Sequence, residues 1–205
     1  MSSMRAGMQI LRSGAHLRMP WKNGGGETCE IAVSPPGASL DTLDWRVSMA
    51  VVAQDGPFSL FPGIDRTLCI LDGAGLELHF SGGDARTLTQ DSAPLHFAAD
   101  IAVQARLLAG AITDLNVMTR RGRFLHRVRR VTLDADPTWL QVSSAMLLLC
   151  GHGLVACDVD GSSLQLSARD ALLVRDASVS PRISIAAAST SASLYLIELE
   201  ARRAD

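Results

Sequence analysis

Leu68-Cys69-Ile70-Leu71-Asp72-Gly73-Ala74-Gly75-Leu76 is an apolar run closed by a Gly-x-Gly turn, and Met146-Leu147-Leu148-Leu149-Cys150-Gly151-His152-Gly153-Leu154 repeats it. The two copies stand 78 residues apart at Gly73 and Gly151, and 79 apart at Asp91 and Asp170. After each turn comes a second strand pattern, a polar turn, and an Asp before an apolar segment: Pro94-Leu95-His96-Phe97 in one copy, Ala171-Leu172-Leu173-Val174 in the other. Any two β-hairpins can look alike, but three features in one order favour duplication. Repeated strand–turn units of this length point to two related β-barrels or jelly rolls in one chain.

Outward from the repeat, alternation with period two dominates. Trp45-Arg46-Val47-Ser48-Met49-Ala50-Val51, Leu76-Glu77-Leu78-His79-Phe80 and Leu115-Asn116-Val117-Met118-Thr119-Arg120 each read as a strand with two unlike faces. Turn signals separate such runs, among them Ser34-Pro35-Pro36-Gly37, Gln54-Asp55-Gly56-Pro57, Ser81-Gly82-Gly83-Asp84 and Asp160-Gly161. Many short strands between turns predict an all-β sandwich or barrel. The only helix candidates are short, around Leu40–Leu43 and at the extreme N-terminus. Trp45 and Trp139 are expected in the core.

Composition bounds the function. With 205 residues the chain can bury a substantial core. It is 47% hydrophobic and 20% charged, which excludes a solvating, disordered protein. A formal charge of −2 and 4% aromatics argue against nucleic acid as a partner. No apolar run approaches the ~20 residues of a membrane span, and the first residues lack the apolar stretch of a signal peptide. A cytoplasmic protein is expected, with Cys29, Cys69, Cys150 and Cys157 as reduced, buried thiols. His16, His79, His96, His126 and His152 are scattered and no C-x-x-C is present, so no metal and no cofactor is expected. His79 and His152 are expected on the outside of strands or turns.

A second feature is Trp21-Lys22-Asn23-Gly24-Gly25-Gly26, followed by Glu27-Thr28-Cys29-Glu30-Ile31. It is not a nucleotide loop: the phosphate-binding pattern needs its Lys after the glycines and a helix beyond, whereas Lys22 precedes them and residues 28–33 read as a strand. No Gly-x-Ser-x-Gly is present either.

The order Gly-x-Gly, hairpin, Asp, apolar strand resembles the cupin fold, without the His-x-His pair through which many cupins hold a metal. The first half is more specific. The Trp21–Ile31 segment, Trp45-Arg46-Val47-Ser48-Met49-Ala50, the segment from Asp55-Gly56-Pro57-Phe58 through Phe61-Pro62-Gly63 to Asp65-Arg66-x-Leu68, and Asp114-Leu115-Asn116-Val117-Met118-Thr119-Arg120-Arg121-Gly122 together resemble the HutD/Ves family. The family's length covers nearly the whole chain; beyond about residue 122 the resemblance is to the fold alone. It implies an all-β, cupin-like double β-barrel (a bicupin of RmlC-like jelly rolls) with no established catalytic activity and a role in limiting or tuning histidine catabolism. Two halves are expected, residues 1–122 with the family motifs and 123–205 degenerate. They are expected to pack as one unit, with strand exchange between them left open.

If the polar faces of these strands line a barrel, Lys22, Arg46 and Arg66 converge on a small anion, for which Arg forks and a Lys point charge are suited. Asn23, Ser48 and Asn116 would orient it, Glu30 stands beside them, and Trp21, Phe58 and Phe61 would enclose its apolar part. The plainer readings are that Arg46 is a solvated surface residue and that Arg66 pairs with Asp65 or Asp55 to pin a turn. The cluster of Arg120, Arg121, Arg123, Arg127, Arg129 and Arg130 is a solvated loop or an oligomer contact. The expected function is binding of a small anionic metabolite of histidine degradation, such as urocanate, a formylated glutamate or formate. The alternative is a metal-free lyase or isomerase with Glu30 or Asp65 as base and the arginines stabilising an anion. A third reading is a regulatory module acting through its surface, and a homodimer is the default assembly.

Overall fold

The computed structural model describes residues 7–21, 24–142, 145–175 and 181–202. The described structure is all-β. Its first strands are β1 (Met8–Leu11), β2 (Leu17–Pro20), β3 (Gly26–Ser34), β4 (Trp45–Val52) and β5 (Gly56–Pro57). Next come β6 (Ile64–Asp72), β7 (Leu76–Phe80), β8 (Ala85–Leu88), β9 (Leu95–Ala98), β10 (Val103–Leu107) and β11 (Ile112–Arg120). The remainder are β12 (Phe124–Leu133), β13 (Thr138–Leu140), β14 (Ala145–His152), β15 (Leu154–Val159), β16 (Ser162–Ser167), β17 (Ala171–Val174), β18 (Ile183–Ala187) and β19 (Ala192–Ala201).

The chain divides into two compact units. In the unit formed by Leu17–Leu125, a six-stranded sheet runs β2-β3-β4-β11-β6-β9 and a four-stranded sheet runs β5-β10-β7-β8. Their inward residues share one core: Ala50, Leu68, Ile70 and Ile112 from the first meet Leu76, Leu78, Val103 and Ala105 from the second. The other unit combines the segment ending at His16 with His126–Ala201. Its sheets run β1-β17-β14-β19-β12 and β13-β18-β15-β16, around Met146, Leu148, Cys150, Val155, Cys157, Leu172 and Leu194. None of these sheets closes on itself.

The strand orders repeat. The run β4-β11-β6-β9 corresponds to β12-β19-β14-β17, and β5-β10-β7-β8 to β13-β18-β15-β16, each strand eight elements after its counterpart. The Gly-x-Gly turns that reveal the repeat in sequence join β6 to β7 and β14 to β15. The second glycine of each has positive φ, +112° at Gly75 and +76° at Gly153. A Cβ at either would overlap a backbone carbonyl, of Leu88 and Ser191 respectively. The turn therefore fixes the residue type in both copies.

Two local expectations are corrected. No helix forms at Leu40–Leu43. Leu43 N–H bonds Ser39 O at 3.0 Å, but the Asp44 N–H that would extend the turn goes to Ser34 O at 2.7 Å. The carbonyls of Leu40 and Asp41 accept instead from Arg120 Nη2, at 3.0 and 2.9 Å. The extreme N-terminal expectation falls on residues 1–6, outside the described residues, and beyond them lies the strand β1. Trp45 is buried as expected, but Trp139 is 58% exposed and stacks under Arg182, whose guanidinium carbon is 5.0 Å from the ring centre. Trp139 lies on a three-residue strand at the end of its sheet order, where few neighbours can cover it. All four cysteines are free and buried, His152 is exposed and His79 half-buried. No described helix is long and apolar enough to cross a membrane.

Candidate functional site

The unit Leu17–Leu125 contains a cavity of about 430 Å³, within the usual range for small-molecule sites. Strand register builds it. Ser48 lies opposite both Glu30 and Asn116, Asn116 opposite Leu68, and Met118 opposite both Arg46 and Arg66. Directly paired residues share a face, so Glu30, Arg46, Ser48, Arg66 and Asn116 all rise from the same side of adjacent strands. Two residues before Asn116, hence on that side too, is Asp114. Phe58, Phe61 and Trp21 form part of the wall.

Arg66 is only 7% exposed, and a buried guanidinium must be partnered. Its Nε donates to Asn116 Oδ1 at 2.7 Å, and its Nη2 donates to the same oxygen. Its guanidinium carbon lies 4.4 Å from the Phe58 ring centre and 5.8 Å from that of Phe97, the geometry of a cation–π contact. Asn116 Nδ2 in turn donates to Asp114 Oδ1 at 2.5 Å. Arg66, Asn116 and Asp114 thus form one chain of hydrogen bonds. Burial pulls Arg66 down to about 10, with Asp114 opposing, so it stays cationic at neutral pH. Burial pushes Asp114 up to about 6 against Arg66, the Asn116 amide and the Ala50 N–H.

Arg46 is tied differently. Its Nε donates to Glu30 Oε2 at 2.7 Å, with both side chains mostly buried. A bulge in the β3–β4 pairing between Glu30 and Ala32 accompanies this reach along the strand. Among the described residues the Nη groups of Arg46 make no hydrogen bond, nor does the Ser48 hydroxyl. Trp21 is set by its own loop: its N–H donates to Gly26 O at 2.9 Å and its indole Nε1 donates to Thr28 Oγ1 at 2.8 Å. Gly26 explains the third glycine of the run, because a Cβ there would overlap the Val51 carbonyl and press on the Trp21 ring. Lys22 and Asn23, both expected at the site, lie outside the described residues.

Of the expected site residues, Trp21, Arg46, Ser48, Phe61, Arg66 and Asn116 line the cavity, and Glu30 reaches it through Arg46. The plainer readings of the arginines fail. Arg66 pairs with neither Asp65 nor Asp55: Asp65 bonds Arg121 at 2.8 Å, and Asp55 accepts the Leu107 N–H at 2.8 Å. Arg46 is a mostly buried ion-pair member rather than a solvated residue. Asp114 escaped the sequence reading. It was visible as an acid in phase with Asn116 and Met118, on the alternation that already marked those two. Within the Arg120–Arg130 cluster, Arg120 is half-buried and Arg121, Arg123, Arg127, Arg129 and Arg130 are exposed. Arg120 holds backbone carbonyls, Arg121 pairs with Asp65 and Asp100, Arg123 with Asp44, and Arg129 with Glu198. Among the described residues, no three His, Cys, Asp or Glu are placed to hold a metal ion.

The HutD family model matches residues 13–194. An uncharacterized 21.2 kDa protein of the hutC 3′ region of Pseudomonas putida is 35% identical over 158 residues, 77% of this chain and 81% of that protein. Protein Ves of Citrobacter koseri is 44% identical over 110 residues, 53% of this chain and 56% of Ves. The solved HutD of Pseudomonas fluorescens SBW25, determined in a formate condition, superposes with a TM-score of 0.79 at 30% identity, covering 96% of this chain and 100% of that one. For the fold alone, a cupin 2 conserved barrel domain protein of Leptotrichia buccalis gives 0.55 at 11% identity over 98% of this chain and 92% of its own. With cupin-like neighbours for its fold and a family match across most of its length, the chain belongs to the HutD family.

Proposed function

We propose that the chain is a bicupin whose N-terminal half binds a small anionic metabolite and thereby tunes histidine utilisation. The observation that carries this reading is the enclosure of two guanidinium groups, Arg46 and Arg66, in one cavity with aromatic walls. Arg66 is held rigidly by Asn116 and Phe58, while Arg46 keeps its Nη groups for a ligand. Preorganised donors of this kind suit a carboxylate. The hutC-region relative and the HutD structure determined in a formate condition bring the histidine-utilisation setting and the class of ligand into the proposal. The two candidate bases of a lyase are both engaged, Glu30 by Arg46 and Asp65 by Arg121, which favours binding over turnover.

Calorimetric titration with urocanate, formylglutamate and formate tests the proposal. Saturable binding of one of them, weakened at least tenfold in Arg46→Ala and reduced in Lys22→Ala, is the expected result. Absence of binding by all three, or affinity indifferent to Arg46→Ala, rejects it.

A further inference from the structure

Asp114 is 1% exposed and lines the cavity, and among the described residues its Oδ2 has no hydrogen-bond partner within bonding geometry, while Oδ1 accepts from Asn116 and the nearby Ala50 N–H also favours the carboxylate. Buried carboxylate oxygens are almost always partnered, because leaving one bare forfeits its hydration with nothing in exchange. Among the described residues, the other charged groups of the cavity are each engaged. Arg66 is engaged by Asn116, Arg46 by Glu30, and Asp55 by the Leu107 amide. Among the described residues, Glu30 and Asp114 stand beside the two guanidinium groups of the cavity. Among the described residues, what the cavity lacks is specific: an acceptor for the Arg46 Nη groups and a donor for Asp114 Oδ2, with the Ser48 hydroxyl available on the strand that bears Arg46, opposite Asn116 on the strand that bears Asp114.

Resting on the anion-site reading above, we infer that the ligand is bifunctional: a compact acid whose anionic group meets Arg46 and whose N–H donates to Asp114 Oδ2. The carboxylate site is thereby a site for acids that also carry a nitrogen-bound proton. Acids of the same outline without that proton leave Asp114 unpaired and are discriminated against, as expected wherever a buried polar group must find its partner in the ligand.

Two ring acids of nearly equal size separate the terms. Pyrrole-2-carboxylate carries a ring N–H, and thiophene-2-carboxylate has sulfur in its place. Calorimetry on the wild-type protein at pH 7.5 is expected to show pyrrole-2-carboxylate bound at least tenfold more tightly. In Asp114→Asn, the Asn116 Nδ2 bond keeps oxygen at the Oδ1 position, so an amide nitrogen takes the place of Oδ2 and faces the ligand's donor. The preference is then expected to shrink to twofold or less, with thiophene-2-carboxylate still bound. Equal binding of the two acids by the wild-type protein overturns the donor assignment while leaving the anion site standing, and so does a preference that survives in folded Asp114→Asn. Binding of neither acid overturns the donor assignment, while the anion site is judged separately by the titration with urocanate, formylglutamate and formate. Should Asp114→Asn fail to fold, the wild-type comparison decides alone.

Discussion

Asp114 and Asn116 sit one alternation apart on β11, and Asn116 Nδ2 donates to Asp114 Oδ1 at 2.5 Å. That bond fixes one carboxylate oxygen and leaves the other without a hydrogen-bond partner among the described residues. It also opposes the effect of burial, which still dominates and lifts the carboxyl to about 6. Below about pH 4 the group is protonated in folded and unfolded chains alike. Between about 4 and 6 the unfolded chain has lost the proton while the folded protein keeps it, so this group's contribution to stability falls as pH rises, then levels off. Urea unfolding of wild type and Asp114→Asn from pH 4 to 7.5 should therefore show wild type losing stability relative to the variant across that interval. A difference independent of pH refutes the shift.

Arg66 anchors the same chain of bonds. Arg66→Met leaves Asn116 and Asp114 buried without their cation and should cost about 3–5 kcal/mol, the range for breaking one side of a buried charge pair. Arg66→Lys should recover only part of this, since a lysine cannot give the paired N–H donation to Asn116 Oδ1. Combining Arg66→Met with Asp114→Asn should cost less than the two single changes summed. Strict additivity in chemical denaturation would mean that the two groups are not coupled.

Gly26 packs its Cα against the Val51 carbonyl and the Trp21 ring. Gly26→Ala must push β3 away from β4 or displace Trp21, and either should cost about 1–3 kcal/mol, as overpacking does. Because Trp21 stands in the cavity wall, affinity for the anionic ligand should fall as well. Thermal melts with a parallel titration check both; unchanged values in each would show that the loop yields freely.

Arg120 takes the place of a helix. Its guanidinium meets the carbonyls of Leu40, Asp41, Leu43 and Pro62 at 3.0, 2.9, 3.4 and 3.3 Å. Arg120→Ala should cost about 1–2 kcal/mol and raise amide hydrogen exchange across residues 38–44 before any other segment. Unaltered protection there would show that the Ser39–Thr42 turn holds without it.

The strands were legible because alternation and glycine turns are local facts, and the duplicated turn at Gly73–Gly75 and Gly151–Gly153 marks strands that do occupy equivalent places in the two units. The gathering of Arg46, Ser48, Arg66 and Asn116 was legible for the same reason: alternation assigns each to one face of its strand, although Arg66 shares its face with Leu68 and Ile70 and Asn116 with Met118. Asp114 was passed over because its importance comes from burial, which no local pattern announces. The pairing of Arg46 with Glu30 depends on a bulge, and that of Asp65 with Arg121 on a turn, so neither partner choice can be read along the chain. Leu40–Leu43 shows the converse: the residues permit a helix, but Arg120, some 80 positions away, claims the carbonyls it would need.

The strand β1 pairs along its whole length with β17, Met8 opposite Val174 and Leu11 opposite Ala171. During synthesis Met8–Leu11 therefore leaves the ribosome well before its partner exists. At 5–20 residues per second the interval is roughly 10–30 s. Over that time the intervening 17–125 unit can complete its own sheets, while this short apolar strand waits with its hydrogen-bonding edge uncovered. Order of emergence and order of assembly are thus reversed at the N-terminus, and a brief need for shielding follows from strand pairing alone.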